Sequence, residues 1–112
     1  MAFEQDGLEN QWKKVLDYVS NSFGEVEDLK DVVFLIGVQE LGLGFRNFSK
    51  DEKVDVMHIG VCCLLGQYGY YEILGRDEDG WPHWQATVSL PELTDNDREL
   101  LLKRAIIKYF EE

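Results

Sequence analysis

Basic residues are scarce in this chain, cysteine and proline scarcer still, and no long apolar run interrupts it. Eleven Lys and Arg stand against twenty-two Asp and Glu, a net charge of −11 at neutral pH. A surface of that sign repels phosphate backbones and anionic headgroups over roughly 8 to 10 Å, which argues against nucleic acid and membranes as partners. The acids are spread from Glu4 to Glu112 instead of forming one tail. They keep the surface solvated and would attract a basic partner or a cation. No stretch approaches the ~18 apolar residues of a membrane span. The opening MAFEQDGLENQW lacks the basic start and apolar stretch of a secretory signal. Together these features predict a cytoplasmic protein. The two cysteines are neighbours, Cys62 and Cys63. Their side chains diverge on any regular element, so a bridge between them would be strained and a reduced, buried pair is expected.

What is present suits a small packed domain. A chain of 112 residues with 45% hydrophobic content can enclose one continuous core, and a single domain over 1–112 is expected. Leu8, Trp12, Val15, Leu16, Val19 and Phe23 recur at helical spacing with polar residues between them, predicting an amphipathic helix over about residues 8–22, ended by Gly24. A second segment opens at Glu27-Asp28 and runs through DLKDVVFLIGVQELG to Gly42. Its centre, Val32 to Val38, is apolar on all sides, so periodicity leaves helix and strand open. Length and the terminal glycine favour helix, in which case Gly37 lets a neighbouring helix come close. LGLGFRNF reads as a loop. Ser49 and Glu52 form a capping box, starting a helix over about residues 50–65 with Val54, Met57, His58, Val61, Cys62 and Leu65 on one face. Val56, Ile59, Cys63 and Leu64 widen its apolar arc. Thr94 and Asp97 repeat the capping logic for a last helix over about residues 95–110, with Leu101, Leu102, Ala105, Ile106, Tyr109 and Phe110 turned inward.

Between these last two helices, residues 70–76 and 81–88 are aromatic and β-branched runs around Asp77-Glu78-Asp79-Gly80. They predict a β-hairpin. With an even loop, Arg76 opposes Trp81, Ile73 opposes Trp84 and Tyr71 opposes Ala86. Alternation then puts Tyr71, Ile73, Trp84, Ala86 and Val88 on one face, toward the helices. Tyr70, Glu72, Leu74, Trp81, His83, Gln85 and Thr87 share the other. Pro82 points to an edge position, and an edge can recruit a partner strand. The fold expected is α+β and mostly helical: about four helices in a small bundle with one hairpin inserted before the last.

No stretch carries a motif specific enough to name a reaction. The calcium-loop pattern fails around Gly80, because Gly75 and Ala86 fall where acids belong. His58 and Cys62, at i and i+4, share a helical surface and are the available metal ligands, with His83 and Glu40 as partners only if folding brings them in. The Glu-x-x-His repeat of di-iron bundles is absent. No cofactor is implied. As a nucleophile Cys62 would need a thiolate, which an apolar helix disfavours. Glu72 and His83, diagonal neighbours in the expected register, form the best acid–base pair. LGLGF lacks the setting of a phosphate loop.

Recognition remains. Tyr70, Glu72, Trp81, His83 and Gln85 make a face of stiff aromatic side chains with polar edges, the composition of interface hot spots, and Tyr68 and Phe45 extend it. The plainer reading is that Trp81 caps the core or packs on Arg76. The expectation is a non-enzymatic binding or protein-interaction module, self-associating or bound to a protein partner. A special case is an inhibitor or immunity-like factor whose acids steer a basic partner. The alternative is a small hydrolase or other acid–base enzyme using His83 with Glu72.

Overall fold

In the computed structural model, residues 2–24, 26, 28–44, 46–89 and 91–111 are described. Four helices, α1 (Ala2–Phe23), α2 (Leu29–Leu41), α3 (Lys50–Gly66) and α4 (Asp95–Phe110), enclose one antiparallel hairpin of β1 (Tyr71–Arg76) and β2 (Pro82–Ala86) in sequence order between α3 and α4. The architecture is α+β, mostly helical, as its patterning predicts. None of the helices is long and apolar enough to cross a membrane among the described residues.

Each helix end has a local cause. Gly24, at φ +98°, terminates α1. Asp28 caps α2 by accepting from the Asp31 N–H, and Gly42 closes it in the left-handed region. The full Ser49–Glu52 capping box starts α3, and Thr94 caps α4 through the Asp97 N–H. α1 begins at Ala2, ahead of the residue 8 at which its apolar periodicity starts.

The ambiguous Val32–Val38 segment is helix, and the glycines explain how it is buried on so many sides. A β-carbon on Gly37 would meet the Val56 carbonyl oxygen at 2.1 Å, and one on Gly60 would meet that of Val33 at 2.4 Å. α2 and α3 therefore touch backbone to backbone. That crossing decides which face of α3 points inward. Val56 is fully buried, whereas Val54, expected on the buried face, is 64% exposed. His58 is exposed as well. Phe23, placed in the α1 stripe by its spacing, is also exposed.

The main core joins Leu8, Trp12, Val15 and Val19 of α1, Val32, Val33 and Ile36 of α2, Leu64 of α3, and Ala105, Ile106 and Ile107 of α4. A second cluster of Val38, Leu41, Phe48, Val56 and Ile59 lies at the other end of the α2–α3 pair, and Trp81 packs against it. Phe48 brings part of the glycine-punctuated loop into this cluster. Phe45, expected beside the aromatic patch, lies outside the described residues.

The hairpin keeps the expected pairing at its open end, with Tyr71 opposite Ala86 and Ile73 opposite Trp84, but slips by one near the turn. Gly75 opposes His83 and Arg76 opposes Pro82, because a bulge between Ile73 and Gly75 adds a residue to β1. Gly75 takes φ +140° there. Arg76 consequently does not face Trp81. It donates to the carbonyls of Glu40 and Leu41, each at 2.8 Å, and to that of Gly80. A guanidinium thus satisfies the last carbonyls of α2 and fastens the hairpin to that helix end. The inner side of the hairpin is narrower than alternation suggests. Trp84 lies over Gly66, where a β-carbon would come within 3.3 Å of its ring, while Ile73, Ala86 and Val88 are exposed.

Candidate functional site

The hairpin and α3 enclose a cleft of about 430 Å³. One wall is a stripe of α3, where Glu52, Asp55 and Ile59 follow at three- and four-residue spacing with His58 beside them. The turn contributes Asp77 and Asp79, and the other wall is Trp81, Pro82, His83 and Trp84. Four carboxylates and two indoles thus border one opening, together with both histidines of the chain.

Asp77 organises the turn. Its Oδ1 accepts the N–H groups of Asp79 at 2.9 Å and Trp81 at 3.0 Å, and its Oδ2 lies 2.9 Å from His83 Nε2. The imidazole contact is the main reason its carboxyl sits below the usual carboxylate range, with the Trp81 N–H next. Glu52 is lowered chiefly by the Ser49 N–H it accepts in the capping box, and also by Arg46 at 3.1 Å. Asp55 and Asp79 have no side-chain partner among the described residues, so their negative charge is uncompensated at the cleft.

The aromatic side has two parts. Trp81 meets Phe48 edge to face at 6.4 Å, and the Arg46 guanidinium stacks 5.2 Å from the Phe48 ring and 5.7 Å from the Trp81 ring. Trp81 therefore covers the second cluster and still borders the cleft. Trp84 is half-buried, and its indole N–H is buried with no hydrogen-bond partner among the described residues.

Of the candidate residues singled out by sequence, Trp81, His83 and His58 line this cleft. The others serve elsewhere. Gln85 donates to Glu72 at 2.9 Å across the strands. The Tyr70 N–H is bonded to the Leu65 carbonyl. The expected Glu72–His83 pairing is corrected to Asp77–His83, because the bulge carries His83 toward the turn. His58 Nε2 and Cys62 Sγ do meet, at 3.3 Å, yet no group of three or more His, Cys, Asp or Glu is placed to hold a metal among the described residues. Burial raises the Cys62 thiol to about 11. It also raises Cys63 to about 12, with Glu40 adding to the effect. Both are poor nucleophiles at neutral pH.

Alternation within the hairpin misses half of this site, because the residues it leaves out come from a helix wall and a turn. The spacing of Glu52, Asp55 and Ile59 is the available signal for the former. In comparisons with models of known protein families, with curated proteins and with solved structures, nothing matches this chain.

Proposed function

We propose that the protein is a non-catalytic binding module whose cleft between α3 and the hairpin receives a cationic side chain, arginine or lysine, from a basic protein partner. The observation that carries this reading is the joining of two indoles and four carboxylates around one opening. Indole faces attract cations through the ring quadrupole, by about 0.5–1 kcal/mol where exposed. Unpaired carboxylates at the rim supply the complementary charge. The chain contains an internal example at the same border: Arg46 is stacked on Phe48 and Trp81 and paired with Glu52. The net charge of −11 favours rapid encounter with a basic partner, the behaviour of an inhibitor or immunity-like factor. Binding is supported over the Glu72–His83 acid–base reading because Glu72 is engaged by Gln85 and His83 is paired with Asp77, whose other oxygen holds the turn.

The test is calorimetric titration with the peptide Ac-Arg-Val-Arg-Val-Arg-NH2. The double variant Asp55→Asn/Asp79→Asn removes two cleft charges, and Glu9→Gln/Asp17→Asn removes two exposed charges of α1. The cleft variant should weaken binding about tenfold, while the α1 variant should change it little. Equal weakening by both would mean that only overall charge matters, and the cleft assignment would be wrong.

A further inference from the structure

The cleft has a feature that a simple cation pocket does not need. Pro82, His83 and Trp84 are consecutive in β2, and all of them line it. Successive strand residues point to opposite faces. A groove that touches all of them runs past the outer edge of the strand.

The hydrogen bonds of the hairpin show what that edge offers. The Thr87 N–H donates to the Tyr70 carbonyl at 2.9 Å, and the Asp77 N–H to the Trp81 carbonyl at 3.0 Å. With the observed register, these place Tyr71–Ala86, Ile73–Trp84 and Arg76–Pro82 at the wide positions of the ladder. At such positions each residue's own N–H and C=O point away from the partner strand. The sheet has two strands only among the described residues. The outer edge of β2 therefore presents the N–H and C=O of Trp84 and Ala86, while Pro82 ahead of them is buried.

The two edges are unequal. That of β1 is interrupted by the bulge between Ile73 and Gly75, a device that discourages strand pairing. β1 also contributes no side chain to the cleft. β2 has regular spacing from Pro82 to Ala86, and its proline stands first in the strand, where only one donor is lost.

Resting on the binding function argued above, we propose that the partner's basic segment is captured in extended form, as a third strand added to the outer edge of β2. Its alternate side chains enter the cleft. Charge selects the occupant. A second copy of this chain would bring another −11 and the same acidic turn to the contact, whereas arginine or lysine at alternate positions of an extended peptide complements the uncompensated Asp55 and Asp79 of the cleft. The ligand class is then a β-strand peptide with cations at i and i+2, recognised through its backbone as well as its side chains.

Backbone N-methylation tests this directly. Two forms of Ac-Arg-Val-Arg-Val-Arg-NH2 are compared with the parent, one methylated at the valine nitrogens and the other at two of the arginine nitrogens. Strand addition uses only alternate peptide N–H groups, so one form should bind about tenfold or more weakly and the other like the parent. The amides of Trp84 and Ala86 should exchange more slowly when the parent peptide is bound. If both methylated forms bind like the parent, and Asp55→Asn/Asp79→Asn still weakens all three, the added strand is refuted while the cation cleft stands. If the parent fails to bind, or binds without regard to that double variant, both proposals fall.

Discussion

Gly37 of α2 lies so close to Val56 of α3 that a β-carbon on it would sit 2.1 Å from the Val56 carbonyl oxygen. The obstacle is backbone, which cannot rotate aside, so the helices must separate and uncover Val33, Ile36 and Val56. Gly37→Ala and Gly60→Ala should each destabilise the fold by about 2–3 kcal/mol, despite the better helix propensity of alanine. Chemical denaturation checks this. A neutral effect would mean that the crossing is looser than the contact implies.

The boundaries of α2, α3 and α4 were legible in the sequence because capping is local, whereas α1 begins at Ala2, six residues before the periodicity that predicts it. Ser49 with Glu52, Thr94 with Asp97 and Gly42 each act within a few residues. The hairpin's open end was legible for the same reason, through alternation around a strong turn. The bulge was not, since an extra residue in β1 leaves no mark that single-strand patterning detects, and with it went the partner of His83. The exposure of Val54 depends on which way α3 turns, and the α2–α3 crossing settles that across the structure. Gly37 could be read as a point of close approach, but the matching role of Gly60 appears only once the helices are placed. The cleft was half visible: Trp81 and His83 came from the hairpin, whereas Glu52 and Asp55 belong to a helix whose polar face resembles any solvated one.

Alkaline pH should loosen the interior. Burial raises Cys62 to about 11 and Cys63 to about 12. Tyr109 is raised too, by burial first and then by donating to Glu40 Oε2 at 2.7 Å. In each case folding favours the protonated form. Its contribution is complete below the unfolded value and is lost as pH rises toward the folded one. Melting temperature should therefore decline steadily above about pH 9. Cys62→Ala/Cys63→Ala should flatten the first part of that decline. If the double variant declines as steeply as the parent, the thiols are not its source.

Acid should act on the turn. Asp77 is held below its ordinary value, first by His83 and then by the Trp81 N–H. The ionised carboxylate therefore steadies the turn above about pH 4, and this contribution disappears as pH falls through the lowered folded value. Protection of the Asp79 and Trp81 amides, taken relative to their intrinsic exchange rates at each pH, should fall over that range before the helices unfold. In Asp77→Asn, which keeps an acceptor but cannot ionise, that protection should lose its acid dependence. An identical acid profile in the variant would assign the change to another group.

Trp81 has two roles that different substitutions separate. Its edge contact with Phe48 belongs to the second cluster, so Trp81→Ala should lower stability by about 2 kcal/mol as well as weaken binding of the arginine peptide. Trp81→Leu retains much of the apolar cover and removes the π face. It should leave most of the stability while binding several-fold more weakly. Parallel losses in both properties for the leucine variant would show that the indole serves packing alone.

Salt distinguishes steering from contact. The uncompensated charges of Asp55 and Asp79 add to a chain-wide field set by the net charge of −11. That field reaches about 30 Å at 0.01 M salt but only about 10 Å at 0.1 M. The association rate with the arginine peptide should fall steeply over this range, whereas dissociation, set by stacking and backbone pairing after desolvation, should change much less. Stopped-flow tryptophan fluorescence resolves the two rates. A flat association rate would remove steering and leave short-range contacts as the whole of the affinity. A salt effect confined to dissociation would mean that the charges act only after docking.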